Sequence, residues 1–241
     1  MIPVWGWRAR IGFIIPCSDL VQEPDAYQIA PRGVTVHFTR IPLPQPFDPQ
    51  ELKVLGEDME KPLELLKPLQ LNVIVFGCTS GSFIGGPGYD GKIASSITKI
   101  SGVKGTTTSS SVIAALKALK LKKISVLAPY SDDVGQKLKL FLEANGIRVL
   151  KMKTLGLNTD LDIARVSPEA IYQHAKEIDL PKAEGLFISC TTFRAIDIIH
   201  LLENDISKPI ITANQAAMWN ALRIAGIKDK IQAHGQLFTR C

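Results

Sequence analysis

Two cysteines of this 241-residue chain stand in matching local sequences. Val75-Phe76-Gly77-Cys78-Thr79-Ser80 resembles Phe187-Ile188-Ser189-Cys190-Thr191-Thr192, so each thiol ends an apolar run and precedes two hydroxyl residues. Two thiols on opposite faces of one carbon suit a racemase, in which a thiolate takes a proton and a thiol returns it. They also suit a cis–trans isomerase, in which a thiolate adds to an activated double bond and leaves after rotation.

The residues after each cysteine predict how its thiol is activated. Thr191 and Thr192 are good N-cap residues before a helical pattern that continues to Leu202, so we expect the Cys190 thiol at a helix N-terminus, with a lowered pKa. Cys78 enters the small-residue loop 79–88, whose backbone can approach a ligand closely. The alternative is an inert buried cysteine, which is common for one thiol alone but explains the matched pair poorly.

Either reaction spreads negative charge onto a substrate carboxylate, which fixed hydrogen-bond donors must receive. We expect Thr79, Ser80 and Tyr130 to be these donors.

Short apolar runs alternate with helical patterns along the chain, which predicts βαβ units and a parallel sheet. The predicted strands cover 10–15, 35–39, 73–76, 124–127, 148–152, 186–189 and 209–212. The predicted helices cover 109–119, 135–145, 168–178, 192–202 and 213–225. Ligands bind at the carboxyl ends of such strands, where both cysteines stand.

The strand ends also reveal an internal repeat. The segment 11–19 resembles 124–132 with an offset of 113 residues, and the two cysteines are offset by 112. A looser third pair sets 108–119 against 212–224. We therefore predict an α/β protein of two similar Rossmann-like lobes, each with a mainly parallel sheet flanked by helices, related by a pseudo-two-fold axis. The predicted lobes are 1–105 and 106–241, with the C-terminus of the chain packing back on the first.

Composition excludes several other classes. The net charge of +5 is scattered, without a basic block, so we expect no nucleic-acid partner. No apolar stretch reaches 18 residues and no signal peptide is evident, so we expect no membrane association and a cytoplasmic location. The four cysteines and four histidines lack metal-site spacing. Met218 and Trp219 lie in a predicted helix with apolar residues to spare, which leaves a homo-oligomer open, although we favour the core.

At these residues the chain resembles the Asp/Glu racemase superfamily, and within it the branch of maleate cis–trans isomerases and arylmalonate decarboxylases. The matching segments are 11–24, 77–86, 126–133, 155–167 and 189–192. The resemblance implies two Rossmann-like halves, no metal or organic cofactor, and a small carboxylate substrate between the lobes. It also implies that Cys78 and Cys190 are catalytic and that Thr79, Ser80 and Tyr130 bind carboxylate oxygens. We expect Thr191 to join them.

Two positions depart from that branch. Its isomerases carry Asn where this chain has Asp19, in Pro16-Cys17-Ser18-Asp19, and where it has Asp160. A carboxylate at these positions repels a substrate carboxylate unless it is protonated or paired, and it accepts hydrogen bonds from an amino, amide or hydroxyl group instead. Either Asp is alternatively a turn or cap residue. We expect Pro16 and Cys17 to line the pocket, and Cys241 to be an exposed thiol outside it.

The favoured function is a cofactor-independent two-cysteine isomerase or racemase of a small carboxylic acid. Decarboxylases of the branch keep only the second cysteine, so the pair favours isomerisation. An arylmalonate decarboxylase-like enzyme and an amino-acid or hydantoin racemase stay open. A two-lobed protein that binds a carboxylate without turnover is the alternative from another class.

Overall fold

The computed structural model describes residues 5–43, 45–46, 49–56 and 59–241, in which two parallel sheets are flanked by helices. The elements of the first half are β1 (Ala9–Pro16), α1 (Gln22–Ile29), β2 (Val34–Ile41), α2 (Pro49–Val54), α3 (Glu60–Leu66), β3 (Val73–Phe76), α4 (Thr79–Phe83), α5 (Tyr89–Ser101), β4 (Lys104–Thr107) and α6 (Thr108–Ala118).

The second half repeats this alternation. Its elements are β5 (Lys123–Ala128), α7 (Asp132–Ala144), β6 (Arg148–Thr154), α8 (Asp160–Arg165), α9 (Pro168–Ile178), β7 (Gly185–Ile188), α10 (Ile199–Ile206), β8 (Ile210–Thr212), α11 (Ala213–Ile224) and α12 (Gly235–Arg240).

The two sheets have the same strand order. The first is β2-β1-β3-β4 and the second is β6-β5-β7-β8, with parallel pairing throughout. β3 and β7 occupy equivalent interior places, and every residue of each is buried. Continuous apolar runs are typical of parallel strands covered on both faces. The predicted α/β class with two similar sheets is therefore confirmed.

The two halves meet through the helices that follow their last strands, since α6 packs against α11. Both helices are capped by the threonine that ends the preceding strand. Thr107 accepts from the N–H of Ser110 at 3.0 Å, and Thr212 accepts from that of Gln215 at 3.2 Å. These caps lie at the carboxyl edge of each sheet, the same edge that bears the cysteines.

Some predicted elements differ from the structure. β4 was not predicted, because its sequence Lys-Gly-Thr-Thr lacks an apolar run. The helix predicted over 192–202 is wrong at its start: residues 191–193 form a turn, a 3₁₀ turn covers Ile196–Ile198, and α10 begins at Ile199.

The C-terminal helix α12 packs on α10, α11 and β8 of the second half. The preceding segment does reach the first half, where Arg8 pairs with Asp229 at 2.6 Å. The boundary between lobes near residue 105 stays a prediction. No helix in the described ranges is long and apolar enough to cross a bilayer.

Candidate active site

Cys78 caps a short helix. It lies two residues after the end of β3. Its Sγ accepts a hydrogen bond of 3.3 Å from the main-chain N–H of Gly81 in α4. The Ser80 hydroxyl lies 3.7 Å from the same sulfur. Cys78 is only 4 % exposed, and burial raises the pKa of its thiol to about 12, with the Gly81 N–H and the Ser80 hydroxyl offsetting part of that rise.

Cys190 has a different setting. Its backbone φ is +90°, a value that L-residues rarely adopt and that costs on the order of 1–3 kcal/mol. The thiol is 8 % exposed, and burial, followed by the charge of Asp160, raises its pKa well above the usual value. The N–H of Thr192 is its stabilising donor. The predicted low pKa at a helix N-terminus is wrong, because no helix begins at Thr191 or Thr192.

Tyr130 brings the two thiols to one place. Its hydroxyl accepts from the hydroxyl of Ser189, the neighbour of Cys190, at 3.2 Å. Burial raises the pKa of Tyr130 most, and Cys190 and Cys78 raise it further. The Tyr130 ring packs edge-on against Phe83 of α4, with ring centroids 6.0 Å apart. The phenol of the second half therefore stands against the helix that Cys78 caps, which brings the predicted thiols and phenol together.

Asp160 lies beside Cys190 at the junction of the halves. Its Oδ1 accepts from the Thr192 hydroxyl at 3.0 Å, and its Oδ2 accepts from the Ser18 hydroxyl of the first half at 2.5 Å. Burial raises its pKa, while these two hydroxyls lower it in part. After burial, its charge further raises the pKa of both Cys78 and Cys190.

Asp19 follows β1 and is 1 % exposed. Its Oδ1 accepts the N–H groups of Val21 at 2.8 Å and Gln22 at 2.9 Å, as a turn residue does. Burial raises its pKa, while the N–H groups of Gln22 and Val21 and the nearby side chain of Thr191 lower it in part. Its Oδ2, however, has no hydrogen-bond partner among the described residues. A turn role thus accounts for only one of its two oxygens.

The remaining predicted residues separate into two groups. Thr79 and Ser80 lie buried in the first turn of α4, and Thr79 Oγ1 has no hydrogen-bond partner in the described part of the chain. Pro16 is buried at the end of β1, but Cys17 is exposed, so the expected lining role of Cys17 is not supported. The internal repeat aligns Cys17 with Tyr130, but Cys17 is exposed whereas Tyr130 is buried.

Other residues of the site escaped the sequence analysis. Ser18 and Thr192 hold Asp160, and Ser189 donates to the Tyr130 hydroxyl at 3.2 Å. Asn214, at the start of α11, donates to the Thr191 carbonyl and to Asp25 of α1, both at 2.8 Å. Their common signal is position, since each follows or ends a strand at the carboxyl edge of a sheet.

A cavity of about 600 Å³ lies elsewhere, lined in part by Arg40, Val54, Leu55 and Leu65. It contains neither thiol. Both cysteines are instead buried, at 4 % and 8 % exposure.

The site and the fold together define a two-lobed α/β protein with one thiol from each lobe. The chain belongs to the arylmalonate decarboxylase family, whose model matches residues 11–238. A maleate isomerase of Nocardia farcinica is 21 % identical over 238 residues, covering 95 % of this chain and 94 % of that protein. Arylmalonate decarboxylase of Bordetella bronchiseptica is 27 % identical over 169 residues, covering 66 % and 68 %.

Solved structures share the fold. A Nocardia farcinica maleate cis–trans isomerase superposes with a TM-score of 0.91 at 19 % identity, covering 97 % of this chain and 99 % of that one. That structure is a cysteine-to-serine mutant with a covalently bound succinylcysteine intermediate. A structure of arylmalonate decarboxylase gives a TM-score of 0.78 at 21 % identity, covering 96 % of this chain and 100 % of that one.

Proposed function

We propose that this protein is a cofactor-independent isomerase that converts a small cis-unsaturated carboxylic acid to its trans form. The observation that carries the proposal is the position of Tyr130: its hydroxyl accepts from Ser189, the neighbour of Cys190, and its ring packs against Phe83 of the helix that Cys78 caps. The maleate isomerases among its relatives, one of them solved with a covalent succinylcysteine, support this reading.

Cys78 is the nucleophile. Its sulfur has an N–H donor from Gly81 and a hydroxyl donor from Ser80, and both stabilise the thiolate. The proton that Cys78 loses passes to solvent before the substrate is enclosed. The thiolate then adds to one carbon of the double bond, which forms a C–S bond and moves the π electrons onto the other carbon and its carboxylate.

Cys190 is the acid and then the base. Asp160 beside it disfavours the thiolate, so Cys190 holds its proton and donates it to the electron-rich carbon. The former double bond is now single and rotates. The Cys190 thiolate next removes a proton from that carbon, the double bond re-forms, and Cys78 leaves as the thiolate. At the end of the cycle both cysteines have recovered their starting protonation states, and only the geometry of the double bond has changed.

The buried hydroxyls of Tyr130 and Thr79 are the donors for substrate oxygens. Thr79 Oγ1 has no protein partner among the described residues, which leaves it free to bond to a carboxylate. Each such donor contributes about 3 kcal/mol to stabilising the charge that develops during addition.

The test is incubation of the purified protein with a panel of cis-enoates, amino acids, hydantoins and arylmalonates in D₂O, followed by proton NMR. We expect cis-to-trans conversion that falls by about 10³-fold or more in both Cys78→Ala and Cys190→Ala. Cys241→Ala, at the other end of the chain, is the control and should keep full activity. Turnover that survives in Cys78→Ala would contradict the proposal.

Decarboxylation is the second candidate, because the matching family model is that of arylmalonate decarboxylase. One thiol suffices to protonate the enediolate left after loss of CO₂. Release of CO₂ from arylmalonates by Cys78→Ala would therefore establish that activity. A carboxylate-binding protein without turnover would bind members of the panel yet change none.

A further inference from the structure

We infer that the site takes a carboxylic acid whose other end is a carboxamide, such as the monoamide of a cis-unsaturated diacid, rather than a dicarboxylate. The inference rests on the proposed function, because it names the substrate class of the same site. Its basis is that Asp19 Oδ2 and Thr79 Oγ1 are buried and lack hydrogen-bond partners among the described residues.

The two unpaired atoms need different ligand groups. Asp19 and Thr79 are only 1 % and 2 % exposed, and a buried polar atom without a partner is costly. The carboxylate oxygen of Asp19 needs a donor, whereas the Thr79 hydroxyl donates best to a carboxylate oxygen. A ligand with N–H groups at one end and a carboxylate at the other satisfies both.

Both atoms lie at the thiols. Thr79 follows Cys78 directly in the chain. Ser18, the neighbour of Asp19, donates to Asp160, which also accepts from Thr192, two residues after Cys190. We therefore place the amide end of the substrate at Asp19 and its carboxylate end at Thr79, with the double bond between them.

The charge around the site disfavours a second carboxylate. Asp160 accepts from the hydroxyls of Ser18 and Thr192, which are neutral, and its charge also raises the pKa of Asp19. Arg40 contacts this turn, but it donates to the main-chain oxygen of Asp19 and pairs with Glu23. A dicarboxylate therefore brings two negative charges to carboxyl groups that no described cation neutralises.

A carboxamide removes that conflict. Its N–H groups donate to Asp19 Oδ2, and it stays conjugated with the double bond, so the bond remains activated for addition by Cys78. The other carboxylate keeps its donors at Thr79 and Tyr130.

Binding of saturated analogues tests the inference independently of turnover. Calorimetry should show succinamate, the monoamide of succinate, binding at least about tenfold more tightly than succinate, because placing like charges together in a binding site costs at least that factor. In Asp19→Asn the preference should fall to parity or reverse. Asparagine keeps the oxygen that accepts from Val21 and Gln22, and it places an N–H where Oδ2 stood. Asp133→Asn, which removes an exposed charge from α7, should leave the wild-type preference unchanged.

Turnover separates this inference from the proposed function. Faster isomerisation of maleamate than of maleate by the wild type, with the ratio reversed in Asp19→Asn, supports both. Faster isomerisation of maleate leaves the proposed function standing and overturns the inference. Preferred binding of succinamate without isomerisation of either acid supports the inference and refutes the isomerase. Preferred binding of succinate, or binding of neither analogue, overturns the inference.

Discussion

The first and second halves place a cysteine after the same strand of equivalent sheets, yet they surround it differently. Cys78 follows β3, caps α4 and has the donors of Gly81 and Ser80. Cys190 follows β7, adopts a left-handed backbone conformation and lies beside the charge of Asp160. Duplication of a fold therefore repeats the position of a thiol without repeating its electrostatics, and the two thiols are suited to different steps.

The largest expected effect is the pH dependence of the rate, which reports on the setting of Cys78. Burial raises the pKa of Cys78 to about 12, so at neutral pH the nucleophile is mostly protonated. The thiolate fraction, and with it kcat/KM, should rise about tenfold per pH unit between pH 6 and 9. Initial rates measured at constant ionic strength check this. A plateau across that range would mean that the thiolate is already formed at neutral pH.

Removal of the phenol that joins the two thiols should have the next largest effect. Tyr130→Phe deletes the hydroxyl that accepts from Ser189 beside Cys190 but keeps the ring against Phe83. We expect kcat to fall about 10²-fold, the usual effect of losing one fixed donor, with the melting temperature nearly unchanged. Tyr172→Phe removes a hydroxyl that bonds to Asp205 far along the chain and serves as the control. Equal activity in both variants would show that Tyr130 is only structural.

Asp25 lies at a contact between the halves, and its titration predicts that the stability of the protein depends on pH. Burial raises the pKa of Asp25 to about 7, and the bond from Asn214 of the second half offsets this only in part. Since the folded pKa lies above the unfolded one, the folded state binds the proton more tightly. Stability from this group is fully present below about pH 4 and is lost as pH rises through 7, by on the order of 2–4 kcal/mol.

Asp25→Asn should remove that dependence, because its side-chain oxygen still accepts from Asn214. Urea unfolding at pH 5 and pH 8 measures it. The variant should lose less stability than the wild type over this interval. Parallel losses in the two proteins would show that Asp25 does not carry the effect.

The smallest expected effect is a difference in stability between two variants in which one cysteine is replaced by glycine. Cys190→Gly relieves the strain of a positive φ, whereas Cys78→Gly loses the cap of α4 and gains no such relief. We expect Cys190→Gly to be more stable than Cys78→Gly by about 1–2 kcal/mol. Chemical unfolding of the two variants at one pH decides this, and an equal loss would argue against strain at Cys190.

Sequence predicted the repeated fold and the paired thiols because both leave local signals. Apolar runs at two nearly equal offsets marked the strands, and each run ended in Cys followed by hydroxyl residues. β4 gave no such signal, because its two polar threonines are buried only by contact with neighbouring elements.

The local structure around the two thiols could not be predicted from the sequence. Small residues, among them Gly81, made α4 look like a loop, and two threonines made a turn after Cys190 look like a helix cap. The predicted lowering of the Cys190 pKa depended on that helix cap, and it was wrong for the same reason. Asn214 was missed because its partners are distant in the chain: Thr191 follows the neighbouring strand of the same sheet, and Asp25 meets it only when the halves pack.

The division of labour between the thiols is tested most directly by mass spectrometry of Cys78→Ser and Cys190→Ser after incubation with the cis substrate. If Cys78 is the nucleophile, Cys190→Ser should accumulate a covalent adduct of substrate mass on the peptide that contains Cys78, and Cys78→Ser should form none. An adduct on Cys190 in Cys78→Ser, at a rate matching that of the other variant, would contradict the account.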